Sequence, residues 1–226
     1  MSLVYVYALT GAPARRPAGE VARAFRAGGR RIHLMPVGSL HAAVERIDAP
    51  PALSEAALRA QHALVSRLSR RFDAILPARF GAAVDPVELR RVVLAREKTL
   101  ARALEAVKGC DQMTIRIFGP PPPGRGVPAR SVRTGTAYLR GRREAARAVM
   151  PPFVRRIRRA VKPVVLGERI DPGGRRVLAS VHHLVPRALA TRYRSLVQDV
   201  VADLPPRSTA VTGPWPPFAF TPDIWP

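Results

Sequence analysis

The sequence predicts an α+β protein built from two units. Short runs rich in Val, Ile and Tyr, typical of strands, alternate with longer runs in which apolar residues recur every three or four positions, as in helices. The predicted order is β, α, β, β, α, α, β in the first half and α, β, α, β in the second half. A stretch dense in proline and glycine, residues 119–131, separates the halves. Both orders suit an antiparallel or mixed sheet with helices on one face.

The first half opens on a strand and continues through a hairpin. Residues 3–9 are rich in Val and Tyr and predict a buried strand. Residues 18–27 predict a helix, because their apolar positions have helical spacing. Two further strands are predicted at 31–37 and 40–47, joined by a turn at Gly38-Ser39.

Two long helices and a strand complete the first half. Ser54 is placed to N-cap a helix whose apolar stripe continues to Ile75. A second helix, running through Val107, is predicted to begin at Asp85, where a capping carboxylate precedes Pro at the first helical position and Glu at the third. Residues 112–118 then predict a strand.

The second half is predicted to contain two helices and two strands. A helix runs from about residue 137 through Val161, with a break at Pro151-Pro152. A strand at 175–187, a helix at 189–200 and a short strand at 208–212 follow. A ferredoxin-like arrangement fits either half, and the second half can take the strand at 112–118 into its sheet.

The predicted division of the chain follows from these elements. Four successive prolines favour a stiff, extended segment between the two domains. The segments are an N-terminal domain (1–118), a linker (119–131), a ferredoxin-like C-terminal domain (132–212) and a tail of proline and aromatic residues (213–226).

The formal net charge of +22 has two interpretations. Clustered arginines neutralise phosphates, which makes nucleic-acid binding the alternative function. However, 35 of the 38 basic residues are Arg, in a chain also rich in Ala and Pro, as GC-rich codons supply. The arginines are spread along the chain, and no aromatic RNA-binding motif, zinc-finger spacing or helix-turn-helix pattern accompanies them. The sequence therefore does not favour nucleic acid as the partner, although the charge favours adhesion to acidic surfaces.

The sequence carries no motif of a known catalytic, cofactor or metal site. It has no P-loop, dinucleotide fingerprint or Gly-x-Ser-x-Gly elbow. His182 and His183 are adjacent on a predicted strand and must face opposite sides, so they cannot hold one ion together. His62 lies on the apolar stripe of a helix, which favours a core histidine. We therefore predict no enzyme and no cofactor; a polar pocket joining one of these histidines to a carboxylate would support an enzyme instead.

Cysteine use and hydropathy indicate the compartment. The lone cysteine, Cys110, cannot form an internal disulfide, which fits a reducing cytoplasm. No run approaches the roughly 18 apolar residues of a membrane-spanning helix. We expect a cytoplasmic protein with no membrane partner.

Four motifs with no catalytic chemistry remain: YVYAL (5–9), LPARFGAAV (76–84), GTAYLRGRR (135–143) and TGPWPPFAF (212–220). In this order and at these separations they resemble the gas vesicle protein family GvpL/GvpF, over essentially the whole chain from residue 3 to 220. The helix with His62 just before LPARFG matches as well. The chain departs from the family where Ala82-Ala83 replaces Thr-Val and where Phe-Ala-Phe replaces an aromatic-Ser-Phe ending.

The resemblance implies a role without catalysis. Members of this family are accessory or minor structural components of gas vesicles, the hollow protein shells that give microbes buoyancy. It implies a part in shell assembly, with the major shell protein and other accessory proteins as partners. The expected location is the cytoplasm during assembly and then the gas vesicle. The expected fold is a two-domain α+β protein whose C-terminal part is a modified ferredoxin-like fold, and whose N-terminal part is a small sheet with long helices.

The motif residues are the candidate partner-binding positions. For the LPARFG and GTAYL motifs, burial in the core is the favoured interpretation. For the tail, two alternatives stay open, because proline-braced aromatic rings can pack on the chain's own surface or into a partner. The candidates are Leu76, Pro77, Arg79, Phe80, Gly81, Tyr138, Leu139, Gly213, Pro214, Trp215, Pro216, Pro217 and Phe218.

Overall fold

The chain divides into two compact units, residues 1–110 with 215–226, and residues 111–214. The computed structural model describes residues 3–11, 24–27, 29–119, 152–172, 177–202, 204 and 209–224. The predicted linker beyond Gly119 and the motif residues Tyr138 and Leu139 lie outside the described residues. None of the helices described is long and apolar enough to cross a membrane.

The first unit is built on one sheet, whose described strands are β1 (Leu3–Thr10), β2 (Ala24–Ala27), β3 (Arg30–Val37), β4 (Leu40–Ile47), β5 (Ile75–Pro77) and β6 (Ala83–Val84). Their order is β2-β3-β4-β1-β5, and β6 also pairs with β1. Neighbouring strands are antiparallel. The predicted first strand and the hairpin that joins β3 to β4 are confirmed.

The N-terminal helix prediction is wrong where it can be checked. Residues 24–27 form strand β2, which pairs with β3 from Ala24 opposite His33 to Ala27 opposite Arg30. A short helical pattern rarely nucleates by itself, whereas the neighbouring strand offers hydrogen-bond partners directly. Residues 18–23 lie outside the described part of the chain.

Three helices of the first unit follow the hairpin: α1 (Glu55–Arg71), α2 (Pro86–Ala95) and α3 (Glu97–Val107). Both predicted N-caps are confirmed, because the Ser54 hydroxyl accepts from the Ala57 N–H at 3.1 Å and the Asp85 carboxylate accepts from the Val87 N–H at 2.8 Å.

Two helix boundaries differ from the prediction. Helix α1 ends at Arg71, so Ile75 lies in β5, where the main chain pairs opposite Thr10 of β1 instead of continuing the helix. The predicted second helix is interrupted at Arg96, whose φ of −126° and ψ of 15° are not helical. The next residue, Glu97, accepts hydrogen bonds from the N–H and hydroxyl of Ser39, both at 2.6 Å, and so ties the start of α3 to the β3–β4 turn.

The core of the first unit lies between the sheet and α1. The apolar stripe of α1 packs against the inward side chains of the central strands. The buried residues of this core include Tyr5, Tyr7, Ile32, Leu34, Leu64, Val65, Leu68 and Ile75.

The second unit contains β7 (Cys110–Phe118), α4 (Pro152–Val161), β8 (Gly167–Pro172), β9 (Val177–Pro186), α5 (Ala190–Val201) and β10 (Thr209–Trp215). Its strand order is β10-β7-β9-β8, so β9 separates β7 from β8 and β7 separates β9 from β10. Each of the two βαβ units is thus split by a strand of the other, which is the ferredoxin-like arrangement. The α+β class and this fold for the C-terminal part are confirmed.

The boundaries of the two units in the structure differ from the domain boundaries predicted from the sequence. Strand β7 belongs to the sheet of the second unit, because its neighbours there are β9 and β10. At the other end, residues 215–226 belong to the first unit. Strand β8 carries no clear alternation of apolar residues, and the sequence did not predict it.

Candidate partner-binding site

Two of the sequence motifs lie side by side in the first unit. Leu76 and Pro77 of LPARFG form β5 and pair with Leu9 and Ala8 of YVYAL. The Ala78 N–H donates to the Tyr7 carbonyl at 2.9 Å and extends the pairing. Leu76 and Pro77 are buried, so these two positions belong to the core.

The Tyr5 hydroxyl organises the turn that follows β5. It donates to the Gln61 side-chain carbonyl of α1 and accepts from the Gly81 N–H at 3.0 Å. The Phe80 ring meets the Tyr5 ring edge-on, with centroids 6.4 Å apart. Gly81 has a φ of +84°, which favours glycine at this turn. Burial raises the pKa of Tyr5, so the hydroxyl keeps its proton and its role as donor.

A small cavity lies beside this turn. It has a volume of about 150 Å³ and is lined by both tyrosines of YVYAL and by Phe80. At one side the Tyr7 hydroxyl donates to the Glu45 carboxylate at 2.6 Å, and Arg30 donates to the same oxygen at 2.8 Å. Burial and Glu45 raise the pKa of Tyr7. The carboxylate is already paired with a guanidinium, so the cavity holds no uncompensated charge.

The aromatic residues of the tail pack on α1. The His62 ring lies between them: it meets Trp215 edge-on at 5.1 Å between centroids and stacks on Phe218 at 6.1 Å with an interplanar angle of 16°. Phe218 also packs against the core of the first unit, and Pro216 and Pro217 are buried. Packing of the tail on its own chain, one of the two alternatives, is thus observed.

The end of the tail is anchored by charge and by burial. Arg79 of LPARFG forms an ion pair with the Asp223 carboxylate at 2.8 Å, and Arg96 donates to the Asp223 carbonyl at 2.7 Å. Ile224 is only 5% exposed. Asp223 and Ile224 were not among the residues predicted from the sequence, although a lone acid and a lone Ile after the proline-aromatic motif were the available signal.

Trp215 combines a fixed position with exposure of an aromatic ring. Its side chain is 36% exposed, beside His62. Leu58, one helical turn before His62 on α1, is 44% exposed. Leu58 and His62 share a face of α1, and Trp215 packs on His62; we call Leu58 and Trp215 the Leu58–Trp215 patch.

Gly213 and Pro214 precede Trp215 in β10, and they fall in the second unit. A side chain at Gly213 would place its Cβ 2.7 Å from the Gln112 carbonyl oxygen of β7, and the φ of Gly213 is +119°. Only glycine fits this close approach of two strands. Arg194 of α5 donates to the Gly213 carbonyl.

The two adjacent histidines of β9 face opposite sides of the sheet. His182 lies near Gln112 and Thr114 of β7, with its Nδ1 atom 3.2 Å and 3.0 Å from their side chains. His183 lies on the helix side, with its Nδ1 atom 2.7 Å from the Tyr193 hydroxyl and its Nε2 atom 3.1 Å from Glu168.

A carboxylate therefore does meet a histidine in the second unit. His183 is 1% exposed, so its ring is enclosed by protein side chains rather than by a cleft. Arg158 of α4 donates to the same Glu168 carboxylate at 2.8 Å. Burial alone would raise the pKa of Glu168, but the His183 hydrogen bond and the Arg158 charge hold it below its ordinary value. Over the described residues, no group of three or more His, Cys, Asp or Glu is arranged to hold a metal ion.

Nearly the whole chain matches the model of one protein family. A family model described as gas vesicle synthesis protein GvpL/GvpF matches residues 3–222. The chain belongs to the GvpL/GvpF family. The match includes YVYAL, LPARFG and the tail, and it confirms the resemblance found in the sequence. This GvpL/GvpF chain is a gas vesicle protein.

Solved structures of the same family support the fold of this GvpL/GvpF chain. The gas vesicle protein GvpF from Anabaena sp. PCC7120 superimposes with a TM-score of 0.68 at 14% identity, covering 98% of this chain and 97% of that one. GvpF from Microcystis aeruginosa gives a TM-score of 0.68 at 12% identity, covering 96% and 98%. At such identities the likeness establishes the fold. A search of curated proteins finds no match.

Proposed function

We propose that this GvpL/GvpF protein takes part in assembly of the gas vesicle shell by binding the major shell protein and other accessory proteins. In this proposal it is an accessory or minor structural protein and catalyses no reaction. It acts in the cytoplasm during assembly and is then located at the gas vesicle.

The Leu58–Trp215 patch is the observation that carries the proposal. A subunit of a gas-filled shell must be strongly apolar, and such a subunit aggregates unless its surface is covered during assembly. A tryptophan held against α1 offers large contact area, and because His62 and the buried prolines already fix its backbone and ring, binding costs little additional entropy.

The test compares Trp215→Ala with Val87→Ala in the full chain. Val87 is 77% exposed on α2 of the same unit and is a matched loss of exposed apolar surface. We expect Trp215→Ala to weaken binding to a purified major shell protein by about 2 kcal/mol, or roughly thirtyfold, as for an interface hot spot. Val87→Ala should bind within about twofold of the wild type.

The free energy of unfolding of Trp215→Ala distinguishes a role of Trp215 in partner binding from a role in packing on its own chain. Urea unfolding of Trp215→Ala should show a loss of less than about 1 kcal/mol, because the side chain is partly exposed. Unchanged binding and unchanged vesicle yield in cells carrying Trp215→Ala would contradict the proposal. A large loss of stability would instead assign Trp215 to the fold, and Leu58→Ala would then have to weaken binding for the patch to stand.

A further inference from the structure

Helix α4 of the second unit has a buried apolar face and an exposed basic face. Val154, Ile157 and Val161 are buried in the core of this unit, against the sheet and α5. The helix carries four arginines and no acidic residue, and Lys162 follows directly. Such a basic face is a surface for a partner of opposite charge.

Three of these basic side chains form one continuous stripe. Arg155 and Arg159 lie on α4, and Lys162 lies in the 3-10 turn that directly follows it. Because the three residues are spaced by four and three positions, they lie on the same face of the helix and its continuation. The stripe is about 10 Å long at the rise of an α-helix. All three side chains are exposed. We call this set the α4 stripe.

The charges of the α4 stripe are not neutralised by ion pairs within the described part of the chain. Arg158, on the neighbouring side of the helix, pairs with Glu168 at 2.7 Å. No such pair involves Arg155, Arg159 or Lys162 among the residues described. Like charges one turn apart destabilise a helix, and the first turn of α4 lacks the acidic residue that the helix dipole favours. An acidic partner would remove this repulsion.

We propose that the α4 stripe is the docking site for an acidic α-helix of a protein partner. The complementary helix carries Asp or Glu at the same four- and three-residue spacing, so that three ion pairs form side by side along the two helices. This proposal rests on the proposed function, because the partner is another gas vesicle protein. It adds the chemical nature of the contact and the position of the contact in the fold.

The composition of this face favours an acidic helix over nucleic acid. The exposed residues of α4 are Pro152 and arginines, with no aromatic ring on which a base could stack and no Asn or Gln to read a base edge. Three charges over about 10 Å contact few phosphates, and affinity for duplex DNA at physiological salt requires more.

The experiment uses the full chain and two charge-matched triple variants. One is Arg155→Gln/Arg159→Gln/Lys162→Gln, which removes the stripe. The control is Arg67→Gln/Arg90→Gln/Lys98→Gln, which removes two Arg and one Lys that are exposed on the helices of the first unit. Circular dichroism melting of both variants verifies that they fold as the wild type does.

Three fluorescent probes are titrated by anisotropy at low and at raised salt. The first is a helix-forming peptide with Glu spaced by four and three residues on one face. The second has the same composition with Glu distributed around the helix, and the third is a mixed-sequence DNA duplex. We expect the patterned peptide to bind the wild type and the control variant about tenfold more tightly than the scrambled peptide, and the stripe variant to lose this preference.

Each other outcome overturns the proposal. Equal binding of the two peptides to the wild type would show that net charge alone is recognised. Equal weakening in the two triple variants would show that the position of the charges is irrelevant. A loss of DNA binding confined to the stripe variant, without a peptide preference, would assign the face to nucleic acid. Vesicle yield in cells reports on the proposed function separately, because these probes contain no gas vesicle protein.

Discussion

In the first unit, each described helix forms an ion pair between an acidic residue and a basic residue three or four positions away: one in α1, one in α2 and one at the end of α3. In the second unit, by contrast, α4 has four arginines and no acidic residue. The two units also differ in total charge. The first has 18 basic and 10 acidic residues, net +8, and the second has 20 and 6, net +14. A bias toward arginine codons explains the choice of Arg over Lys in both units. It does not explain why α4 has four arginines and no acidic residue.

The two interiors each bring a carboxylate to a buried polar side chain, but the side chain differs. In the first unit the Glu45 carboxylate accepts from the Tyr7 hydroxyl and from Arg30. In the second unit the Glu168 carboxylate accepts from Arg158 and lies beside the buried His183 ring. The His183 hydrogen bond and the Arg158 charge hold the pKa of Glu168 below its ordinary value, so this contact stabilises the folded chain only while the carboxylate is ionised. We therefore expect acid to destabilise the second unit through Glu168.

The largest effect is expected where the tail enters the first unit. Phe218→Ala removes a ring that stacks on His62 and packs against the core, so we expect a loss of about 2 kcal/mol in the free energy of unfolding. Hydrogen exchange should show the loss of protection in α1 and not in α5. Equal loss in both helices would contradict the assignment of the tail to the first unit alone.

An intermediate effect is expected at Glu168. Its pKa in the folded chain lies below the value of about 4.3 in an unfolded chain, so its contribution is complete above about pH 5 and is lost as pH falls through the folded pKa. Glu168→Gln should lower stability at pH 7 by about 1–2 kcal/mol and remove part of the acid sensitivity of the second unit. Urea unfolding from pH 7 to pH 3, followed by hydrogen exchange in α5, measures both.

The matched variant for this comparison is Glu105→Gln in the first unit, whose carboxylate is exposed and lies 3.6 Å from Lys108. It should change stability by less than about 0.5 kcal/mol at any pH in this range. An acid profile of Glu168→Gln identical to that of the wild type would contradict the role given to this carboxylate.

The smallest effect is expected from reversing one charge of the α4 stripe. Arg155→Glu places an acid in the first turn and one turn before Arg159, so we expect α4 to gain about 0.5 kcal/mol at low salt. The reverse change in the first unit, Glu55→Arg, removes the pair with Arg59 and should lose a similar amount. Thermal melting at low and high salt checks both, and a loss of stability in Arg155→Glu would show that the stripe is not self-repelling.

The elements with local signals were predictable from the sequence. The N-caps at Ser54 and Asp85 and the hairpin at Gly38-Ser39 are encoded within a few residues, and all three are confirmed. Elements decided by a distant partner were not. Strand β2 forms because β3 lies beside it, and β8 has too little apolar alternation to be recognised without β9.

The sequence predicted which residues belong to the candidate site, but it did not predict which of them contact each other. The motifs pointed to the residues around LPARFG and to the tail, but the pairing of β1 with β5 joins segments about seventy positions apart. The ion pair between Arg79 and Asp223 joins residues 144 positions apart and leaves no local pattern in the sequence. The sequence could not show whether the tail packs on its own chain or into a partner. The contacts of the His62 ring with Trp215 and Phe218 decide this, and residue spacing alone does not predict them.

The return of residues 215–226 to the first unit has a consequence for the order of synthesis. A ribosome completes the strands and helices of residues 1–110 first, and then adds all of the second unit before Phe218 exists. At a synthesis rate of about 5–20 residues per second, that interval lasts about 5–20 s. Throughout it, His62 and the neighbouring core residues lack the ring that later covers them. The core of the first unit is therefore completed only after the whole of the second unit has been synthesised.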